Sequence, residues 1–531
     1  MNVNTLTLTI LLSTILLFSS CKDSSEKTKA TSENLVISAE MQDTDYRPNF
    51  HFTPKENWMN DPNGMFYLDG TYHLFYQYHP ESSTWGTMHW GHATSKDMIS
   101  WQHQPVALFP DEHGWIFSGS AVVDKNNTSG LGSDGQVPIV ALFTYHDMEG
   151  EKSGRDDFQT QGMAYSLDKG KTWIKYKNNP VLKNPGIRDF RDPKVTWDAQ
   201  RNQWVMALAT YEKNLFYTSK DLIDWEFASD FGEGIGAHGG VWECPDFIPM
   251  KVQGTDTVKW VLIQSLNPGA YNGGSGTQYF VGDFDGKTFT PESYVNDLGE
   301  KHDYWIDFGK DNYAGVTWNN APGGRTLFIG WMSNWEYANV VPTETWRSTS
   351  TIARELKLHL VDGVYRISSA PVMELDSYLD KSFTKASMEL SKGSTIVSVD
   401  DVSLSKTELS FEIPKLEDKD YKFLLTNAIG DSLTFGYDHS KAQFYIDRSK
   451  SGKVDFNENF AKKPSVAPRI SDNENLSVTV LLDKTSIELF FDKGTTVMSE
   501  IFFPKNSFLE FKSLSNHTFL ITDLKASELK L

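Results

Sequence analysis

The sequence predicts an all-β protein, a β-propeller followed by a C-terminal β-sandwich. Three observations lead there. From about Tyr46 to Ser369, short strand-like runs broken by Gly, Asp and Asn follow one another, with no long segment of helical period. A degenerate repeat recurs through this stretch. Its closing aromatics stand roughly 50 to 70 residues apart, enough chain for the four strands and loops of one propeller blade. Beyond about Lys381 the composition shifts toward Ser, Lys and Thr, and alternating strands such as Ser486-Ile487-Glu488-Leu489-Phe490-Phe491 are separated by Asp-Lys-Gly turns.

The chain opens with an apolar run, Leu6 to Phe18, of signal-peptide length and too short for a comfortable membrane span. Ser19-Ser20-Cys21 then places small residues before a cysteine, which resembles a bacterial lipoprotein lipobox. Residues 1–20 are therefore expected to be a signal peptide, with lipidation at Cys21. The polar run over 21–45 is expected to be a flexible tether. Lys22-Asp23 resembles the acidic surface-export signal of Bacteroidetes lipoproteins. This predicts an exported protein, lipid-anchored to the outer membrane of a Gram-negative bacterium on its periplasmic side or at the cell surface. The only other cysteine is Cys244, so no disulfide framework exists.

Residues 46–370 form the predicted propeller. Phe66-Tyr67-Leu68, Asp69-Gly70 and Thr71 to Tyr76 read as a hairpin with a two-residue turn. Trp197-Asp198 and Gln203 to Ala207 read as a second hairpin with a longer loop. The repeat runs Ser95 to Trp101, Ser166 to Trp173 and Ser219 to Trp225, and in weaker form Gly282 to Phe289; its tryptophans are expected to pack blades. Residues 371–380 are a linker that can hold a short helix. Residues 381–531 are the predicted sandwich. No constellation of carboxylates stands out in it, which points to packing or an accessory role.

Composition narrows the partner. A formal net charge of −20 opposes binding to a nucleic-acid polyanion, while a neutral polysaccharide meets no such repulsion. Aromatic residues make up 13% of the chain, which suits both strands and surfaces that stack on sugar rings.

Three acids sit in unusual settings. Asp61 lies in Asn57-Trp58-Met59-Asn60-Asp61-Pro62-Asn63-Gly64, whose Asn, Asp, Pro and Gly spell a tight turn although apolar residues flank it on both sides. Asp192 lies in Phe190-Arg191-Asp192-Pro193, and Glu243 in Trp242-Glu243-Cys244-Pro245-Asp246. Each acid is close to a proline and precedes an apolar strand-like run. In a propeller such a run is the innermost strand of a blade, so three blades would aim three acids into one end of the central channel. Arg191 is placed to pair with one of them. Glycoside hydrolysis needs a general acid for the leaving oxygen and a second carboxylate across the scissile bond, and a third acid can stabilise the developing charge. Simpler readings exist for other residues. His89 and His92 lack a third ligand at a recognisable spacing and read as structural or pocket-lining, so no metal or cofactor is expected. Cys244 reads as a small packed residue, and Asp246 as a polar contact beside the pocket.

The three acid-bearing motifs together resemble glycoside hydrolase family 32, the fructan hydrolases and invertases. Gln77-Tyr78-His79-Pro80, Trp85 to His92, Phe117-Ser118-Gly119-Ser120 and Gly330 to Trp335 extend the likeness. The resemblance implies a five-bladed propeller joined to a sandwich. It implies Asp61 as nucleophile, Glu243 as acid/base and Asp192 as stabiliser of the transition state. It also places Asn60, Gln77, Trp85, Phe117, Ser118 and Arg191 around a terminal fructose, with Trp335, and less clearly Trp331, near the rim. The chain departs from the family at Ser348, where a Gly follows the Arg in most members, and at Ala353, where a Pro is usual; both lie away from the acids.

The leading expectation is a retaining exo-β-fructosidase acting on levan, inulin or sucrose through a covalent fructosyl-enzyme. An endo-acting levanase or inulinase, an inverting five-bladed arabinan or xylan hydrolase, and a non-catalytic carbohydrate-binding lipoprotein are the alternatives. The presence of all three acids speaks against a pure binder. The asparagine-flanked Asp61 speaks against an inverting base acting through water.

Overall fold

Each copy of the sequence repeat closes a turn between the third and fourth strands of a small antiparallel sheet. In the first, Ser95 Oγ accepts from the Met98 amide at 2.8 Å, Asp97 Oδ1 from the Ile99 amide at 2.9 Å, and the Trp101 indole N–H donates to the Met98 carbonyl. Ser219, Asp221 and Trp225 repeat the same three bonds. The hydroxyl and the carboxylate cap amides that the turn leaves without a ladder partner, which is why Ser and Asp recur at these positions. The computed structural model describes residues 46–133 and 135–531; the expected signal peptide, tether and Cys21 lipidation lie outside the described residues.

Five such sheets follow one another, each with its strands in sequential order. Their first strands are Asn57–Leu68, Trp115–Val123, Arg191–Asp198, Val241–Lys251 and Tyr313–Thr317. Each first strand touches the first strand of the next sheet, and the fifth touches the first, so the five close into a ring. This is the propeller expected from the repeat. A short strand, Trp346–Arg347, pairs in parallel with the start of Asn57–Leu68. The two predicted hairpins are present, the first with Asp69 and Gly70 at φ 49° and 75°.

The octapeptide around Asp61 corrects the reading of a tight turn. It lies wholly within the strand Asn57–Leu68. A bulge between Met59 and Pro62 accommodates the proline and re-aims the acid between them. Gly64 has φ +51°, and a Cβ there would lie 2.5 Å from the Trp90 ring, so both conformation and packing demand glycine. All five innermost strands are irregular near the same mouth: their registers shift at Met59/Pro62, Ile116/Gly119, opposite Ala207/Ala209, at Glu243/Asp246 and at Tyr313/Val316. Loops between second and third strands and the links between sheets also gather at this mouth, while the repeat turns lie at the other.

After a 3-10 helix at Met373–Tyr378, strands from Leu379–Leu390 to Phe519–Leu529 form two six-stranded sheets. Phe423, Phe435 and Phe511 pack in the sandwich core. Buried acids of the sandwich take part in packing it against the propeller. Asp483 and Glu488 both bind the buried His51 of the propeller segment, at 2.9 and 2.7 Å, and Glu488 also binds Arg354. Arg354 in turn reaches Asp307 at 2.9 Å, and Arg448 reaches Asp311 at 2.6 Å. These acids join the sandwich to the propeller within one compact unit. On the sequence Glu488 is one polar residue in an alternating strand, and only docking gives it partners.

Candidate active site

At the irregular mouth, all five innermost strands contribute to one polar cluster. Asp61, Asp192 and Glu243 line a cavity of about 300 Å³, together with Asn60, Gln77, Trp85, Phe117, Ser118, Arg191 and Trp335. The three acids and the seven residues expected around the terminal sugar thus line one cavity.

The first strand supplies Asp61. Its Oδ2 accepts from the Ser118 hydroxyl at 2.7 Å and lies 3.4 Å from the Cys244 thiol, which fixes the carboxylate plane. Oδ1 makes no hydrogen bond among the described residues. Burial, and then the charge of Glu243, raises the Asp61 pKa. The neighbouring Asn60 is held by the Trp58 indole, which donates to Oδ1 of Asn60 at 2.8 Å. Trp58 is itself stacked against Trp335, ring centroids 5.8 Å apart. Gln77 is buried and donates to Asn63.

The third strand supplies Asp192 from a left-handed backbone conformation, φ +64°. Such a conformation strains a non-glycine residue, and it persists because both ends of Asp192 are held. Its amide donates to the Thr144 hydroxyl at 2.9 Å, and its Oδ2 accepts from the Cys244 amide at 2.9 Å. Burial pushes the Asp192 pKa up to about 7; Arg191 pulls it down, while the charges of Glu243 and Asp61 add to the rise.

The fourth strand supplies Glu243 at a bulge in which Cys244 has φ +46°. Glu243 Oε1 accepts from Arg191 at 3.0 Å, and Oε2 accepts from the Tyr313 hydroxyl. Burial disfavours charge on Arg191, yet Glu243, Asp192 and Asp189 outweigh it and hold the guanidinium charged. Tyr313, on the fifth strand, has its pKa raised by burial and then by Glu243, so it remains a hydroxyl donor. The Cys244 thiol is likewise pushed up by burial and by the surrounding acids, so it stays protonated.

The second strand supplies Phe117 and Ser118. Phe117 stacks on His146 at 4.2 Å and packs edge-on to Trp85. His146 binds Glu151 at 3.1 Å, and burial lowers its pKa to about 4, so it is neutral over the working range of most proteins. His146, Glu151, Gln159 and Asp189 complete the wall of the cavity.

Several side chains stand differently from their sequence reading. Asp246 does not reach the cavity. It is fully buried further along the innermost strands, bound to Lys194 at 2.9 Å and to the Thr317 amide and hydroxyl. Cys244 is buried as expected, but it also contacts two of the three acids. Trp331 is buried behind Trp335 and does not line the rim. His89 binds the Thr87 carbonyl, and His92 stacks on Phe75 and meets His73 at 3.1 Å; neither lines the cavity. Tyr313 was missed because no motif surrounds it. Its signal is positional: it begins the innermost strand of the fifth sheet, as the acids begin theirs.

The arrangement sets one acid with a free oxygen, Asp61, against a second, Glu243, that is held by a cation and a phenol. A third buried acid, Asp192, lines the same cavity. Such a set can deliver a nucleophilic oxygen and a proton to opposite sides of one bond.

The family model for the glycosyl hydrolases family 32 N-terminal domain matches residues 51–370, and that for the family's C-terminal domain matches residues 374–528. The chain is 46% identical over 469 residues to a levanase of Bacillus subtilis, covering 88% of this chain and 67% of that one. It is 39% identical over 489 residues to an extracellular exo-inulinase of Aspergillus ficuum, covering 87% and 90%. The crystal structure of the exo-inulinase from Aspergillus awamori superposes with a TM-score of 0.83 at 36% identity, covering 91% of this chain and 98% of that one.

Proposed function

The chain belongs to glycosyl hydrolases family 32, a glycoside hydrolase of the β-fructofuranosidase class, and on that premise we propose that it is a retaining exo-β-fructosidase releasing terminal fructose from levan or inulin, and from sucrose. Asp61 attacks the anomeric carbon, the bond to the leaving oxygen breaks, and Glu243 gives that oxygen its proton. Glu243 then takes a proton from water as the water oxygen displaces Asp61 from the fructosyl carbon. Asp192 holds sugar hydroxyls as positive charge develops.

The observation that carries this reading is the pairing of Asp61 and Glu243 in one small cavity, with one Asp61 oxygen free and the other tied to Ser118. The volume favours exo action: about 300 Å³ is at the lower end of the usual range for ligand sites, and it suits one terminal sugar better than the middle of a polymer. A levanase and exo-inulinases among the relatives favour fructan as the substrate. The extracellular relatives and the apolar run from Leu6 to Phe18 favour export, and we extend the proposal to anchoring through a lipid on Cys21. Cys21→Ser should then release the protein from the membrane fraction.

The test is a product profile on levan, inulin and sucrose with the anomeric form recorded at early times. Fructose as the sole small product from levan and inulin, and fructose with an equal amount of glucose from sucrose, is expected, the fructose being released in the β configuration. Oligosaccharides as the first products would replace exo by endo action, and first-formed α-fructose would remove Asp61 as nucleophile.

A further inference from the structure

The innermost strands end, away from the acids, in a second aromatic and polar surface. The strand Arg191–Asp198 carries Asp192 near its start and Trp197 near its end, five residues further on and so roughly 16 Å away. Trp197 lines a hollow of about 290 Å³. Another of about 240 Å³ opens beside it, between the innermost strands of the third, fourth and fifth blades. The two hollows share Thr196, Asn319 and Asn320, and none of these residues lines the cavity that holds the acids.

The walls of this surface are firmly held. Trp197 is braced by Trp204, ring centroids 4.8 Å apart at 61°, and part of it stays open to solvent. The Trp204 indole donates to the Thr128 hydroxyl at 2.9 Å, which donates to Asp124 Oδ1 at 3.0 Å. The other oxygen of the buried Asp124 accepts from the Ser129 amide and hydroxyl. That carboxylate is used within the loop after Val123, and the loop presents Lys125 and Asn126 outward. Asn319 crosses the end of the ring. Its backbone bonds to Met65 and Tyr67 of the first blade, and its Oδ1 accepts from the Val123 amide of the second at 3.0 Å. Asn320 donates its Nδ2 to the Tyr67 carbonyl at 2.8 Å. Among the described residues, Asn319 is left with an unbonded side-chain donor and Asn320 with an unbonded acceptor.

We propose that this face is a second, non-catalytic saccharide-binding site, which holds one stretch of a fructan at Trp197 while another is cut at Asp61. The choice of fructan rests on the fructosidase reading above and extends it. An indole with an open face suits the apolar side of a sugar ring, and a free donor beside a free acceptor suits its hydroxyls. The surface has little charge to offer an ionic ligand. Lys194 is paired with Asp246, and Arg325 with Glu355 and Glu374. A polymer held at two places makes its second contact within one complex, so its apparent affinity rises with no change in the bond-breaking step. Sucrose is too short to occupy both places.

The test compares Trp197→Ala, Trp197→Phe and Asn126→Ala with the parent protein on sucrose and on long-chain levan or inulin. Trp197→Ala should raise KM on the polymer about three- to tenfold, with kcat and all sucrose kinetics within about twofold. Trp197→Phe, which keeps a ring, should recover most of that loss. Asn126→Ala alters an exposed position outside the core and should raise the polymer KM about two- to threefold, which decides the matter if Trp197→Ala does not fold. A polymer KM equal to that of the parent in Asn126→Ala and in every folded Trp197 variant, or an equal rise on sucrose, would overturn the proposal. Calorimetry separates it from the fructosidase reading: long-chain inulin or levan is titrated into full-length Asp61→Ala, with fructose in excess to fill the catalytic cavity. Residual polymer binding that Trp197→Ala or Asn126→Ala weakens supports the second site even if the parent hydrolyses nothing, a result that would defeat the fructosidase reading alone. No residual binding, or binding that neither change weakens, would end the proposal whatever the activity.

Discussion

The Tyr313 hydroxyl, from the innermost strand of the fifth blade, donates to Oε2 of Glu243 on the innermost strand of the fourth. Arg191 occupies the other Glu243 oxygen. Glu243 is thus held from two blades at once, and its direction does not depend on its own strand alone. Tyr313→Phe removes one hold and keeps the packing. We expect kcat on sucrose to fall about 10- to 100-fold, within the range for losing part of general acid–base catalysis, with KM little changed. Steady-state kinetics beside a thermal melt check this. A fall in the melting temperature large enough to account for the lost activity would make Tyr313 a packing residue only.

Removing the acids themselves should separate their roles. Asp61→Ala should leave no measurable fructose release, because it removes the carboxylate that would form the covalent bond. Glu243→Ala should cost about 10²–10⁴-fold on sucrose, and less on an activated fructoside whose leaving group needs no proton. Equal losses on both substrates would argue against Glu243 as the acid.

Much of this site is legible in the sequence because its residues sit in runs that break local rules. An Asp before Pro in an apolar strand, or an Arg-Asp-Pro at a strand start, conflicts with propensity unless a bulge or a left-handed residue absorbs it, and at Asp61 and Asp192 one does. Tyr313 breaks no such rule and stays hidden until the ring closes. Asp246 shows the converse. It stands in the same unusual run as Glu243, but Lys194 and Thr317 of the neighbouring blades claim it, partners that only the closed ring supplies. The His51 network is invisible for a different reason: its members are more than 400 residues apart and meet only when the sandwich docks.

Ser348 departs from the glycine usual in the family, and its backbone shows the consequence. It has φ +84°, in the left-handed region, and its buried Oγ makes no hydrogen bond. A non-glycine residue in that region costs roughly 1–2 kcal/mol, and a buried hydroxyl without a partner adds to it. Ser348→Gly relieves both, while the extra freedom of the unfolded chain takes back about 0.5–1 kcal/mol. A net gain of about 1 kcal/mol is expected, read as a higher denaturation midpoint with unchanged kinetics. A lower midpoint would mean that the Ser348 hydroxyl has a stabilising role in solution.

The junction between propeller and sandwich should weaken in alkali. His51 is fully buried between Asp483 and Glu488. Burial alone would lower its pKa, but the hydrogen bonds to both acids and their charges outweigh it and raise the value to about 9. The unfolded chain has a histidine pKa near 6.5, so between about 6.5 and 9 the folded protein binds a proton that the unfolded one does not. Stability from this group is complete below about 6.5 and is lost as pH rises through 9. The pKa difference corresponds to a loss on the order of 3 kcal/mol. Both partners respond in the same sense: the charge on His51 helps hold Asp483 and Glu488 below their ordinary carboxylate range, so deprotonation leaves two buried anions with one fewer cation. Arg354 still faces Glu488, whereas Asp483 keeps only hydrogen bonds, chiefly from the amides of Asn49 and Phe50. Denaturation midpoints at pH 6, 7.5 and 9 should therefore decline, and His51→Gln should flatten the decline while lowering the midpoint at pH 6. A variant with the same slope as the parent would place the titrating group elsewhere.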